Sequence, residues 1–278
     1  MNTLGSPAHI ADSEFPNGKA PATGALIINA DDWGRDRDTT DRISDCAFRG
    51  TISSVSAMVF MEDSERAATI ARERHIDAGL HLNLTSSFSA SGSPKRLIQH
   101  QEQLSRYLRL HRFAQAFFHP GLASSFEYVV AAQLDEFKRL YGTGPSRIDG
   151  HHHMHLCSNV LLGGLLPAGT LIRRNFSFQP GEKSSSNRLY RQLVDRILAR
   201  QHQLTDYFFS LPPLSPGERL QQIFLLARQF VVEVETHPVN HDEFQFLSRG
   251  GIFSYLGDLS IAPRYAVVRR HRLQFTEA

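Results

Sequence analysis

Four of the fourteen histidines fall within five residues, in the stretch Asp149-Gly150-His151-His152-His153-Met154-His155. Imidazole is the commonest metal ligand and the usual proton carrier near neutral pH, so the cluster points to a metal centre or to proton transfer. A histidine-rich tract can also be an expression tag or a solvated loop. Tags sit at termini, however, and this tract is internal, following a strand-like run that ends in a glycine. Groups of the same chemical kind stand elsewhere: the pair Asp31-Asp32, then His81, then His237. A hydrolytic divalent-metal site wants about three protein ligands with one position left open, and one carboxylate plus two imidazoles meets that need. The second carboxylate is then free to act as general base on a water, and a further histidine to protonate a leaving amine. Such positioned acids and bases are each worth about two to four decades in rate.

The elements that must carry these groups read as alternating strands and helices. Ala25 to Ala30 is a continuous apolar run, the pattern of a parallel strand buried on both faces, and it ends at Asp31-Asp32-Trp33-Gly34. One of the two aspartates could simply cap the helix that follows, over Thr39 to Phe48, but one cap needs only one Asp. Ile52 to Phe60 reads as a second strand and Glu62 to His75 as its crossover helix. In the third strand, from Ala78 to Leu84, His81 and Asn83 share one face; a lone His there would more often be an ordinary core residue. Phe126 to Tyr141 has helical spacing, with Gly142 beyond its end, and delivers the chain to Ile148 and the histidines. Strand alternation would put His151, His153 and His155 on one face and does not choose among them.

Beyond the histidines, the pattern predicts a helix over Asn159 to Leu166, a strand over Leu171 to Arg174 and a loop over Phe176 to Ser186. Next come a helix over Leu189 to Arg200, a strand over Tyr207 to Ser210 and a helix over Pro216 to Ala227. A strand over Phe230 to Thr236 then delivers His237, and a helix over Phe253 to Ser260 and a strand over Tyr265 to Val268 close the chain. The stretch 86–125 interrupts this rhythm. It is serine-rich and then aromatic and basic, and a segment of that length between core elements reads as a partly helical, lid-like excursion. Repeated βα alternation means a parallel sheet with right-handed crossovers.

Length and composition agree with one domain. A chain of 278 residues with 41% hydrophobic residues can bury one large core, and α/β barrels commonly run to about 250 residues. The predicted fold is therefore α/β, an irregular TIM-like (β/α) barrel of parallel strands over residues 25–278, preceded by a polar, mobile leader over 1–24. Net charge is +2 and the basic residues are scattered, apart from small clusters at Arg173-Arg174 and from Arg269 to Arg272, which argues against nucleic acid as a partner. Two cysteines, Cys46 and Cys157, are too few for a disulfide framework; with no signal peptide or apolar span visible, the expected location is the cytoplasm, without a membrane span. The assembly is open, a homodimer included.

Taken together, Leu26 to Gly34, Gly79 to Thr85, Ile148 to His155 and Glu235-Thr236-His237-Pro238 resemble the ordered motifs of the YdjC-like carbohydrate deacetylases, the family of the chitooligosaccharide deacetylases. The resemblance spans about residues 25 to 268. It implies an irregular barrel and metal-dependent removal of an N-acetyl group from an amino sugar or oligosaccharide. It implies Asp31 as base, His237 as acid, and Asp32, His81 and His151 as ligands of one divalent ion; that donor set puts zinc or magnesium foremost and also accepts manganese, cobalt or nickel. His153 and His155 would orient the ligands or the substrate, and Arg173 or Arg174, with Arg174 the first choice, is taken to pair with the base carboxylate or to bind a substrate anion. Two positions depart from the family pattern, Trp33 in place of Phe and Gly150 in place of an acidic residue or Ser; neither removes a ligand. Other barrel metallohydrolases, amidohydrolases or phosphoesterases, typically open with His-x-His where this chain has Asp-Asp. A sugar-binding homologue without turnover would need neither Asp31 nor His237.

Overall fold

The computed structural model describes residues 24–111, 113–178 and 184–265. Seven strands, all paired in parallel, form a single sheet in the order β5-β4-β3-β2-β1-β7-β6. They are β1 (Ala25–Trp33), β2 (Ser54–Ala57), β3 (Ala78–Leu82), β4 (Arg147–Gly150), β5 (Leu171–Ile172), β6 (Tyr207–Ser210) and β7 (Val231–Thr236). The helices between them are α1 (Arg37–Phe48), α2 (Ser64–Arg74), α3 (Lys95–Leu110), α4 (Ala123–Tyr141), α5 (Ser158–Leu162), α6 (Ser185–Leu198), α7 (Glu218–Leu226) and α8 (His241–Ser248). The sheet curls, and its two edges meet through scattered bonds rather than a ladder: Ile172 N–H donates to the Gln203 carbonyl at 2.9 Å and Ser177 N–H to the Phe208 carbonyl at 2.7 Å. The fold is the expected single-domain, irregular α/β barrel.

Side-chain alternation divides the sheet into two chemistries. Leu26, Ile28 and Ala30 of β1, Val55 and Ala57 of β2, Leu80 and Leu82 of β3, Ile148 of β4, and Val232 and Val234 of β7 all join the hydrophobic cluster beneath the helices. Each of these Leu, Ile and Val side chains contributes about 1.5–3 kcal/mol on burial. The intervening positions, Asn29 and Asp31, Ser54 and Ser56, His81, Arg147 and Asp149, Glu233 and Glu235, are buried as well but polar. They line the barrel interior, with Ile27 the apolar member of that face in β1, so these buried strands carry one apolar face and one that is mostly polar.

Several boundaries differ from the sequence reading. The second strand stops at Ala57, with the bond from Met58 N–H to the Trp33 carbonyl at 2.8 Å as the last of its pairing with β1. The fifth ends at Ile172, before the arginines, and the helix ahead of it, α5, ends at Leu162, just before Gly163-Gly164. Helix α8 had no counterpart in the sequence reading, and the helix expected over Phe253 to Ser260 is a short 3-10 turn, Gly251–Tyr255. Within 86–125, α3 buries Leu97, Leu104 and Leu108 and packs along α4, while Phe117 stays exposed. Its Ser105 hydroxyl donates to the Thr85 carbonyl at 2.5 Å, tying this excursion to the end of β3. The predicted leader up to residue 23, the closing strand beyond Tyr265 and the basic cluster 269–272 lie outside the described residues.

Candidate metal and catalytic site

The reactive groups collect where the strands end. Consecutive strand residues should point to opposite faces, yet Asp31 and Asp32 both turn inward. The reason is an irregularity: the β1–β2 register shifts between Ala30 and Trp33, and Asp32 takes a left-handed φ of 70°, a conformation that Asp tolerates better than most residues. Neither aspartate caps α1; that role falls to Asp36, whose carboxylate accepts from Thr39 N–H at 2.8 Å.

Asp32, His81 and His151 offer ligand atoms that all lie within 4.8 Å of one another. Asp32 Oδ1 stands 3.4 Å from His81 Nε2 and 3.0 Å from His151 Nδ1. His81 Nδ1 lies 2.7 Å from Asp149 Oδ1, which fixes the proton on that nitrogen and leaves the Nε2 lone pair facing Asp32. Both Asp32 Oδ1 and His81 Nε2 are buried without a hydrogen-bond partner. Two lone-pair donors aimed at one another in a buried site call for a cation between them, so these residues fit a divalent ion. In the bare site a proton takes that place: burial opposes it, but the charge of Asp31 and the bonds to Asp149 and Asp32 raise His81 to about 10. Asp32 is held far below the ordinary carboxylate range; burial opposes this, and the bonds to His151 and His81 outweigh it.

The histidine tract is not a strand. β4 ends at Gly150, and His151–Leu156 forms a tight turn in which His152 and His153 both adopt left-handed φ angles of 54° and 57°. Single-face alternation therefore fails, and the side chains part. His151 joins Asp32, and His152 Nδ1 meets the Thr85 hydroxyl at 3.0 Å. His153 Nε2 lies 3.7 Å from Glu235, its ring edge-on to Phe176. His155 is fully buried with Nε2 on the Arg173 carbonyl at 2.9 Å, and burial lowers it to about 4. Non-glycine residues in the left-handed region are strained and concentrate at functional sites.

Arg174 is not the arginine beside the base. It leaves the barrel and pairs with Asp195 at 2.8 Å, whereas Arg173 turns inward and grips both oxygens of Asp31 at 2.6 and 2.8 Å. The two are neighbours after a strand, so alternation gives only one of them to the interior. The buried Arg173 guanidinium also reaches Glu233 at 2.7 Å, Asp149 at 3.2 Å and Glu235 at 3.3 Å. Burial alone would raise Asp31, but Arg173 and then His81 outweigh it and hold the carboxyl below its usual value. Glu235 moves the other way, pushed well up by burial and by Asp31. His237, just past β7 and half-buried, places Nε2 3.9 Å from Asp31 Oδ2, and its backbone is fixed by Glu243 at 2.9 Å.

Several of these residues escaped the sequence reading although a signal existed. Glu233 and Glu235 alternate with valines in a strand with no exposed face, as do Arg147 and Asp149 around Ile148. Charges at every second position of such a strand imply a polar interior. Asn29 bonds Asp31 at 2.8 Å and Ser56 at 2.7 Å, and nothing in its spacing announced that.

The model of the YdjC-like protein family matches residues 25–250. The chain belongs to the YdjC-like family. Among the relatives of this YdjC-like chain, a chitooligosaccharide deacetylase of Proteus mirabilis is 32% identical over 136 residues, 49% of this chain and 51% of that protein. A carbohydrate deacetylase of Mus musculus is 29% identical over 136 residues, 49% of this chain and 44% of that one. The chain thus spans about half the length of the curated relatives it matches. In fold, the YdjC-like barrel is similar to a crystal structure of an Enterococcus faecalis protein named for cellobiose-phosphate cleavage. The TM-score is 0.60 at 19% identity, covering 86% of this chain and 97% of that one.

Proposed function

We propose that this chain is a metal-dependent hydrolase that removes the N-acetyl group from an amino sugar or oligosaccharide. The observation that carries the reading is the adjacency of two unlike carboxylates. Asp32 faces the imidazoles of His81 and His151, its own Oδ1 and His81 Nε2 left without a partner, while Asp31, next in sequence, is held in the Arg173 fork, 4.0 Å from His81 Nδ1 and with His237 beside it. The names of the relatives that the chain resembles support the saccharide as substrate.

Asp32, His81 and His151 would hold the ion; one carboxylate with two imidazoles suits zinc, and with waters completing the shell it also accepts magnesium. When bound, such an ion lowers the pKa of a water and polarises the acetyl carbonyl. Asp31, kept ionised by Arg173, takes the proton from the attacking water. The amide C–N bond then breaks, and His237, at the open side of the site, gives a proton to the departing nitrogen, leaving acetate and a free amine. His153, against Phe176 and Glu235, stands where a sugar ring would enter and serves to orient it. His155 supports the turn from below. The test is acetate release from N-acetylglucosamine and its β-1,4-linked oligomers: release by the wild type, lost in a chelated sample and in His237→Ala, is the expected result. Absence of acetate from every saccharide, with a metal bound, would overturn the reading.

A further inference from the structure

A cleft of about 190 Å³ opens beside His152 and His153 and is walled by Gln115, Asn175, Phe176 and Arg191. Arg191 belongs to α6 and is half-buried. The carboxylate whose charge acts on it is Asp195, which is already taken: Arg174 binds one oxygen at 2.8 and 3.1 Å, and the backbone and side-chain amides of Asn175 bind the other at 3.0 and 2.9 Å. Arg191 is left with two neutral acceptors, Asn187 Oδ1 at 2.8 Å and Asn175 Oδ1 at 3.4 Å, and with the face of Phe178 at 5.0 Å. Among the described residues no carboxylate lies within ion-pair distance of it. Burial lowers the pKa of this arginine, with Asp195 only partly opposing, which accords with a cation that lacks its counter-charge. A half-buried guanidinium held in place by amides and not neutralised is costly unless an anion completes it.

We propose that this cleft is a specificity subsite in which Arg191 binds an oxyanion carried by the saccharide. The inference rests on the deacetylase reading for its saccharide and extends it to an anionic one. A guanidinium fork matches a phosphoryl group or a carboxylate, whereas a neutral sugar would leave it unsatisfied. A second groove, of about 540 Å³, shares Phe176 and Arg191 and continues over Phe178, Phe209 and Pro213. A substituent larger than a single phosphate therefore has room beyond the arginine.

The test uses deacetylated sugars, which cannot turn over, titrated into the full chain by calorimetry. Glucosamine is the neutral reference. Glucosamine 6-phosphate, UDP-glucosamine and muramic acid present a phosphomonoester, a diphosphate and a carboxylate respectively, so the arm that binds names the source of the oxyanion. The expected result is at least one anionic sugar binding about tenfold tighter than glucosamine or better, an advantage abolished in Arg191→Gln and partly kept in Arg191→Lys. No preference for any anion, or a preference that survives Arg191→Gln, overturns the subsite. Acetate released from neutral N-acetyl sugars alongside that result would sink the subsite alone. An Arg191-dependent preference without acetate from any N-acetyl sugar would leave the subsite standing and remove the deacetylase reading.

Discussion

Arg173 closes on Asp31 with two hydrogen bonds, at 2.6 and 2.8 Å, and its guanidinium is wholly buried among four carboxylates. This one cation thus sets both the charge state of the base and the charge balance of the barrel interior. Arg173→Lys keeps a charge but loses the fork, leaving acidic groups unpaired in a buried site. The expected loss is about 3–5 kcal/mol, measured by urea unfolding, with the acid limb of the pH–rate profile moving to higher pH as Asp31 loses its partner.

Asp149 acts on the metal site through His81. Its Oδ1 lies 2.7 Å from His81 Nδ1, and its Oδ2 is held by Ser56 and, at 3.1 Å, by Arg147. Asp149→Asn should weaken divalent-ion affinity about 10–100-fold while the chain still folds, as read by competition with a metal indicator and by circular dichroism.

Metal loading should displace a proton. His81 is raised to about 10 in the bare site, so it is protonated at pH 8, and an imidazole must be neutral to bind an ion. Calorimetry at pH 8 in buffers of different ionisation enthalpy should show about one proton released per ion bound, and His81→Ala should abolish binding.

The acid stability of the chain should report His155. Its value in the folded state is about 4, against the ordinary 6.5. The unfolded chain therefore binds the extra proton first as pH falls. The contribution of neutral His155 is fully present above about pH 6.5 and is lost on going down to about pH 4, with a magnitude on the order of 3 kcal/mol. Urea midpoints at pH 7 and pH 4.5 should show the drop, and His155→Gln should flatten that part of the profile.

Gly150 has a packing reason to lack a side chain. A Cβ there would lie 2.8 Å from His155 Nδ1 and 2.9 Å from its backbone nitrogen. Gly150→Ala should cost about 1–3 kcal/mol by overpacking, visible as a lowered Tm.

Much of the fold was legible because apolar strand runs and amphipathic helices leave separate periodicities; Tyr207–Ser210 and Val231–Thr236 follow directly from theirs. The grouping of Asp32, His81 and His151 followed from strand ends together with the family motifs. What was not legible depends on local backbone breaks. The bulge at Asp32 and the left-handed pair His152-His153 override alternation, so period-two reasoning misdirected the histidine tract. The choice between Arg173 and Arg174 turns on one residue of phase after a two-residue strand, too short to set phase from sequence. The helix over His241–Ser248 went unseen because its signal is a cap, Asn240 accepting from Asp242 N–H, rather than an apolar stripe.

The most direct test of the account is to separate the two neighbouring aspartates. Metal content and acetate release should be measured together on Asp31→Asn and Asp32→Asn, each checked for folding. The account predicts that Asp31→Asn keeps its ion and loses about two decades or more of acetate release, whereas Asp32→Asn loses both. Full activity in Asp31→Asn, or an ion retained unchanged in Asp32→Asn, would contradict it.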